Sequence, residues 1–187
     1  MSEVRKVAVL VGSLRKESLN RKLALTLAKL AAPALKLEIV EIVDLPLYNQ
    51  DLDNSPPEAW TRLREAIRAA DAVLFVTPEY NRSVPGVLKN AIDVGSRPYG
   101  HNAFNHKPGA VASVSPGALG AFGANHHLRQ SLVFLNVPTM AQPEAYIGGA
   151  GELFDDSGAL KKETTREFLI AFLAAFGAWI ESNRPRG

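Results

Sequence analysis

Short apolar segments alternate with longer amphipathic segments along this chain. The apolar segments that predict strands are residues 6–11, 37–42, 72–77, 110–115 and the short 137–141. Segments 6–11 (KVAVLV) and 72–77 (AVLFVT) are nearly unbroken apolar runs, which is typical of parallel strands covered on both faces. Segment 37–42 (LEIVEI) carries two glutamates, so we expect it nearer an edge of the sheet.

Segments with helical periodicity follow these strands. The apolar positions that mark them are Leu19, Leu23, Leu27 and Leu30, then Trp60, Leu63, Ile67 and Ala70, and finally Phe168, Phe172, Phe176 and Trp179. Pro56-Pro57-Glu58 is a start signal for the second of these helices. Pro85 fits the first turn of a helix that runs to about Val94, and 125–135 predicts a further helix. The closing aromatic stripe is typical of a core face.

The alternation of strand and helix, repeated five times, predicts a doubly wound α/β sheet. The chain has 187 residues without an internal repeat or a low-complexity linker, so we expect one domain over residues 1–187. The longest irregular segments are 43–57 and 96–108. Loops of that length in a compact domain are more often functional than idle.

The overall composition excludes several classes of function. The 21 basic and 19 acidic residues leave a net charge of +2, too balanced for a nucleic-acid binder that works through a basic face. The chain has no cysteine, which excludes disulfides, thiolate metal sites and a cysteine nucleophile. We find neither a leader with a cleavage site nor the roughly 18 apolar residues that a membrane span needs. A cytoplasmic protein is therefore expected.

Three loops of unusual composition follow predicted strands: the first loop (residues 12–20), the second loop (78–85) and the third loop (115–123). Ligands of an open parallel sheet bind at the carboxyl ends of the strands, near the point where the strand order reverses. The three loops should therefore meet at one edge of the sheet.

The first loop, GSLRKESLN, runs into a helix that begins near Leu19. A helix start offers unpaired N–H groups and the positive end of the helix dipole. Ser13, Ser18 and Asn20 add neutral donors, and Arg15 adds a cation that suits phosphate oxygens. Because neither GxxxxGK[ST] nor GxGxxG is present, this would be a phosphate site built mainly from side chains. The alternative is that Ser18 or Asn20 only caps the helix and Arg15 is a solvated charge.

The second and third loops suit a planar ring. Pro78, Glu79, Tyr80 and Asn81 combine rigid backbone, exposed amides and an aromatic side chain, although the same residues could simply start the next helix. The third loop, SPGALGAFG, has three glycines that permit close approach of the backbone, or merely a turn. Phosphate donors at one strand end and a ring clamp two strands later predict a mononucleotide. FMN fits better than ATP, since no magnesium or γ-phosphate site is present.

With these residues the sequence resembles the NADPH-dependent FMN reductase family, and within it the quinone and chromate reductases. The resemblance rests on four segments: GSLRKESLNRKLA (12–24), LPLYNQDLD (45–53), TPEYNRSVPGVLKNAIDVGSRPYG (77–100) and SPGALGAFGANHHLRQSLVFLNVP (115–138). It implies a flavodoxin-like fold, a five-stranded parallel sheet in the order 2-1-3-4-5 with helices on both faces. It also implies tightly held FMN, NADPH or NADH as co-substrate, and homodimers or homotetramers.

The resemblance also assigns cofactor-binding residues. Those expected at the phosphate are Ser13, Arg15, Ser18 and Asn20, and those expected beside the isoalloxazine and ribityl chain are Pro78, Glu79, Tyr80, Asn81, Ser115, Gly117 and Gly120. One position departs from the family's SxGxxGG pattern, because Gly120 is followed by Ala121. A methyl group there is expected to crowd a close approach of the backbone.

In such enzymes the cofactor carries the chemistry. The resemblance implies that a hydride passes from the nicotinamide to the flavin, and that electrons then pass to a quinone, chromate or a similar acceptor. No catalytic side chain is assigned. Arg82 and Arg97 are candidate substrate-binding residues for an anionic group, or else solvated or interface arginines. The four histidines lack HxxxH or HExxH spacing, so no metal site is expected.

Two other functions fit the same residues. The first is a flavodoxin-like electron carrier or accessory subunit that binds FMN without accepting hydride itself; the near-neutral charge speaks against a carrier with a strong acidic field. The second is a nucleotide-binding module with no flavin. Reduction of bound FMN by NAD(P)H alone would distinguish the enzyme from both.

Overall fold

The computed structural model describes residues 3–31, 33–155 and 158–184. Its strands are β1 (Arg5–Val11), β2 (Leu35–Ile39), β3 (Ala72–Thr77), β4 (Gly109–Val114) and β5 (Ala145–Ile147). Its helices are α1 (Leu19–Ala31), α2 (Glu58–Arg68), α3 (Gly86–Gly95), α4 (Phe122–Phe134) and α5 (Glu163–Asn183), with short 3₁₀ turns at Gln50–Leu52 and Ala150–Glu152.

The five strands form one parallel sheet in the order β2-β1-β3-β4-β5. The chain crosses from β1 outward to β2, returns past β1 to β3 and then continues to β4 and β5. The order therefore reverses between β1 and β3, which makes their carboxyl ends the expected ligand-binding edge. This topology confirms the flavodoxin-like fold expected from the sequence.

Alternate residues of the central strands enter two separate cores. Val7, Val9 and Val11 of β1 pack in the layer of α1 and α5, where Phe172 and Phe176 are fully buried. Ala8 and Leu10 face the layer of α2, α3 and α4, which contains Trp60, Phe75 and Phe104. Because both faces of β1 and β3 are covered, β1 after Lys6 and β3 before Thr77 carry only apolar residues.

The predicted fifth strand at 137–141 was wrong. This segment makes a single bridge to the first residue of β4, between Gly109 and Thr139, and the observed β5 is the three-residue Ala145–Ile147. Val137 and Met140 are buried, so the segment has the apolar pattern of a strand without its pairing. Pro138 has no N–H to donate to a ladder, which limits such pairing. The predicted second strand was also displaced, since β2 begins at Leu35 and ends at Ile39.

Candidate functional site

The three loops meet at the carboxyl edge of the sheet and touch one another. Gly12 donates its N–H to Val76 O at 2.9 Å, which places the first loop against the end of β3. Asn20 Nδ2 donates to Val114 O at the end of β4, at 3.3 Å. Glu79 of the second loop accepts a hydrogen bond from the N–H of Ala124, near the start of α4, at 3.0 Å. These contacts define the three-loop site, formed by residues 12–20, 78–85 and 115–123.

Gly12 is required by the close approach of β1 to the end of β3. A Cβ atom at this position would lie 3.0 Å from Thr77 Oγ1 and 3.2 Å from Pro78 Cδ. The chain then turns at residues 16–17, and the backbone N–H groups of residues 13–20 make no hydrogen bond of standard geometry to the described part of the chain. Such a run of free donors at the start of α1 is the arrangement that binds phosphate groups.

Ser18 is the N-cap of α1, because its Oγ accepts a hydrogen bond from the N–H of Arg21 at 3.1 Å. The capping role considered for Ser18 from the sequence is therefore present. It is compatible with phosphate binding, since the hydroxyl hydrogen is still available to donate. Ser13 is buried at the base of the loop, and Arg15 is exposed beside it.

Asn20 carries the strongest sign of a ligand contact. The residue is buried, and its Oδ1 atom has no hydrogen-bond partner among the described residues. Leaving such an acceptor unpaired costs about 1–3 kcal/mol. A phosphate oxygen cannot satisfy it, because Oδ1 accepts and does not donate. A hydroxyl group can, so this atom suits the sugar-alcohol portion of a mononucleotide.

The second loop forms a tight hairpin. Tyr80 and Ser83 exchange two backbone hydrogen bonds of 3.1 and 3.0 Å around Asn81 and Arg82, which both have positive φ. Positive φ at both central residues is the requirement of a type I′ turn. The ring of Tyr80 is half-exposed at the sheet edge. The predicted rigid loop with an aromatic side chain is therefore present.

The Glu79 carboxylate is bonded to the start of α4 and to Arg82, and is therefore not directed at a ligand. Its Oε2 binds Ala124 N, and its Oε1 lies 3.4 Å from Arg82 Nη1. Gly123 makes this possible, since a Cβ there would lie 2.9 Å from Glu79 Oε2. Only the backbone of Glu79 is free to contact a ring at this edge.

Glycine is required at position 120 by the backbone conformation and by the close approach of β5. Its φ is +57°, and a Cβ would lie 2.6 Å from the backbone nitrogen of Ile147 in β5. Ala121 follows with a φ of 62° and is the N-cap of α4. The methyl group expected to crowd this loop is therefore accommodated in a left-handed residue. Ser115 and Gly117 lie nearer the solvent, where Ser115 Oγ donates to Gly117 O at 3.3 Å.

The structure separates the two candidate substrate-binding arginines. Arg82 lies at the tip of the second-loop hairpin and is 77% exposed in its side chain. Arg97 follows the end of α3, at the opposite end of that helix, and lines a groove between α3 and α4. Arg82 is therefore at the three-loop site, whereas Arg97 of the same chain is not.

Several polar networks were not singled out from the sequence. Asn125 is fully buried and connects Ser113 to Arg129, whose Nη1 donates to Met140 O at 2.8 Å. Such a network depends on contacts between distant segments, so no local pattern could reveal it. His127 Nδ1 lies 2.8 Å from Ser83 Oγ and links α4 to the second loop.

A second network fixes the long loop after β2. Tyr48 donates its hydroxyl to Asp53 at 2.9 Å, and Arg64 Nη2 lies 3.7 Å from the other oxygen of Asp53. Burial raises the pKa of Tyr48, as does its hydrogen bond to Asp53. The LPLYNQDLD motif thus packs against α2 and α3 as a structural element.

The described residues contain neither a metal-binding cluster nor a membrane-spanning helix. No group of three or more His, Cys, Asp or Glu side chains in that part of the chain could hold a metal ion. None of the helices there is long and apolar enough to cross a membrane.

The site therefore fits FMN. It offers free N–H donors at a helix start for a phosphate, a buried unpaired acceptor for a hydroxyl, and a rigid hairpin with an aromatic side chain for a ring. A doubly wound sheet with this site defines a flavodoxin-like mononucleotide-binding protein.

Known proteins narrow that class. Residues 5–152 match the model of the NADPH-dependent FMN reductase family. A quinone reductase from Pseudomonas putida is 66% identical over 185 residues, covering 98% of this chain and 99% of the relative. A 2-hydroxy-1,4-benzoquinone reductase from a Burkholderia species is 45% identical, covering 96% and 98%. The flavoenzyme NAD(P)H:(acceptor) oxidoreductase FerB from Paracoccus denitrificans superposes with a TM-score of 0.92 at 47% identity, covering 97% and 100%.

The chain belongs to the NADPH-dependent FMN reductase family. It is an oxidoreductase that uses FMN, with NAD(P)H as co-substrate. The family, the enzyme class and the cofactors expected from the sequence are confirmed.

Proposed function

We propose that this oxidoreductase uses its bound FMN to pass electrons from NAD(P)H to quinones. The observation that carries the proposal is the three-loop site, with its free N–H groups and the unpaired Oδ1 of buried Asn20. The relatives named as quinone reductases, which match almost the whole chain, support the choice of acceptor. An electron carrier is the weaker alternative because the matched family consists of reductases.

We assign the cofactor contacts as follows. Ser13, Arg15, Ser18 and the N–H groups of the first loop would hold the phosphate. Asn20 Oδ1 would accept a hydrogen bond from a ribityl hydroxyl. The residues that would border the ring are Pro78, Glu79 (through its backbone), Tyr80, Asn81, Ser115 and Gly117. Gly120 would act indirectly, by holding the third loop against β5.

FMN, when bound, supplies the two-electron chemistry. The chain's own residues bind and orient the cofactor and leave an open surface beside it for the second substrate. No side chain of the three-loop site is assigned a proton transfer.

The rim of the site suits an apolar acceptor. Leu14, Tyr80 and Leu119, one from each loop, expose about half or more of their surface at this edge. A planar quinone could replace water against such side chains, which is favourable. Chromate is a further proposed acceptor, for which the exposed guanidinium of Arg82 offers a positive charge.

We also propose a homodimer or homotetramer. Val133 and Phe134 at the end of α4 are 78% and 74% exposed, and a second copy would cover such a pair. The neighbouring groove between α3 and α4, where Arg97 lies, extends this surface. A cytoplasmic location stays a prediction.

The test is steady-state oxidation of NADPH and of NADH by the FMN-loaded protein, with benzoquinones or chromate as acceptor and no other protein present. Quinone-dependent oxidation is expected; activity only after addition of a separate reductase would support the carrier instead.

The assignment of Arg15 to the phosphate and of Asn20 to a ribityl hydroxyl has its own test. The Arg15→Ala, Asn20→Ala double substitution should weaken FMN binding at least tenfold, measured by quenching of flavin fluorescence. Arg166→Ala, which removes an exposed arginine from α5, is the matched control. Unchanged FMN affinity in the double variant would refute the assignment.

A further inference from the structure

The second loop is fastened to α4 at two points, one helical turn apart. Glu79 Oε2 accepts from Ala124 N at 3.0 Å, and Ser83 Oγ lies 2.8 Å from His127 Nδ1. Ala124 offers an N–H group of the first turn of α4, which has no acceptor within the helix, and the His127 side chain lies one turn further along, so both contacts reach the same loop. Glu79 lies immediately before the 80–83 hairpin, and Ser83 is the last residue of that hairpin.

The hairpin between these contacts has little else to hold it. Tyr80 and Ser83 bond to each other, and Arg82 reaches back only to Glu79. Among the described residues, Ser83 to His127 is the sole side-chain hydrogen bond that ties residues 80–83 to another element. Its loss would leave the hairpin free to pivot about Glu79.

We propose that His127 is a positioning residue that holds the 80–83 hairpin in the arrangement required for binding FMN. The inference rests on the proposed function, in which Tyr80 and Asn81 border the ring. A loop already in its bound arrangement loses less freedom on binding, and that gain appears as affinity. His127 would act through Ser83, without touching the cofactor.

The chemistry of the contact makes this testable. Nδ1 is two bonds from Cβ, and the terminal atoms of an asparagine side chain are equally distant from its Cβ. His127→Asn can therefore restore a hydrogen bond to Ser83, whereas His127→Leu cannot. Gln130→Leu is a matched control, because Gln130 lines the same groove between α3 and α4.

The experiment measures the dissociation constant of FMN for each apoprotein by flavin fluorescence, together with the thermal midpoint of the apoprotein. Ser83→Ala and His127→Leu should each raise the dissociation constant roughly three- to tenfold, the loss of about one hydrogen bond. The double variant should be no worse than either single variant, because both remove the same contact. His127→Asn should stay within about twofold of wild type, and Gln130→Leu should match wild type.

Three outcomes would overturn the inference: additive effects of the two substitutions, equal losses in His127→Asn and His127→Leu, or a lowered thermal midpoint with unchanged FMN affinity. The last would make the contact purely structural. Failure of the wild-type protein to bind FMN would instead refute the proposed function, and this inference with it.

Discussion

Two glycines in the first turns of neighbouring helices should respond to alanine in opposite directions. Gly86 begins α3, and a Cβ there would meet nothing within 4 Å. Gly123 lies in the first turn of α4, where a Cβ would lie 2.9 Å from Glu79 Oε2 and 3.3 Å from Arg82 O. The local backbone preference is alike at both positions, so the contrast isolates the Glu79 contact.

The magnitudes follow from two opposing effects. Alanine in place of glycine stabilises a helix by up to about 1 kcal/mol, so Gly86→Ala should gain several tenths. In Gly123→Ala the carboxylate must shift by a few tenths of an ångström, which stretches and weakens its hydrogen bond to Ala124 N. A hydrogen bond to a charged group contributes about 1.5–3 kcal/mol. We therefore expect Gly123→Ala to lose roughly 1 kcal/mol and the two variants to differ by about 1.5 kcal/mol.

Urea denaturation of both apoproteins, followed by circular dichroism, gives the two free energies of unfolding. Glu79→Gln, which retains an acceptor oxygen without the charge, should fall between wild type and Gly123→Ala. A Gly123→Ala protein as stable as Gly86→Ala would refute the assignment of Glu79 as the group that holds α4. That result would also mean that the second loop is attached to α4 only through the contact between Ser83 and His127.

Three further perturbations test the fold around the site. Gly120→Ala should lose about 3 kcal/mol or more, because backbone atoms of β5 cannot retreat from the new Cβ; near-wild-type stability in urea would contradict this. Arg64→Met should lose about 1–3 kcal/mol, because it leaves Asp53 without the cation 3.7 Å away and Val94 O without its donor, and adding Asp53→Asn should recover part of that loss; simple additivity would count against the pair. Burial and the bond to Glu144 raise the pKa of Tyr146 to about 12, so stability should fall as the pH rises from 10 to 12, and less so in Tyr146→Phe.

The central strands could be predicted from the sequence because strands buried on both faces appear as continuous apolar runs. Residues 72–77 are covered on both faces, and the predicted bounds of this strand agree with the structure. Segment 137–141 shows that an apolar run alone does not establish a strand. Its buried Val137 and Met140 satisfy the apolar pattern, yet pairing depends on the partner strand, which a periodicity does not record. The true β5 is too short to carry a pattern of its own.

The position of the candidate site could be predicted from the sequence, but the roles of its individual residues could not. Loops that follow parallel strands must gather at one edge, so the three loops were expected together. Which atom of a side chain is already occupied is a tertiary fact. Glu79 has the composition of a ligand-edge residue but is committed to α4, and Arg97 lies in a motif loop that the short α3 carries away from that edge. His127 gave no local signal at all.

The most direct test of the central claim is the visible spectrum of the FMN-loaded protein under anaerobic conditions, before and after addition of NADPH or NADH. Rapid loss of the flavin bands with either donor alone, and their return on addition of a quinone, is the expected result. Flavin bands that persist with both donors would contradict the reductase and favour an electron carrier. Absence of flavin bands after reconstitution would contradict the cofactor site itself.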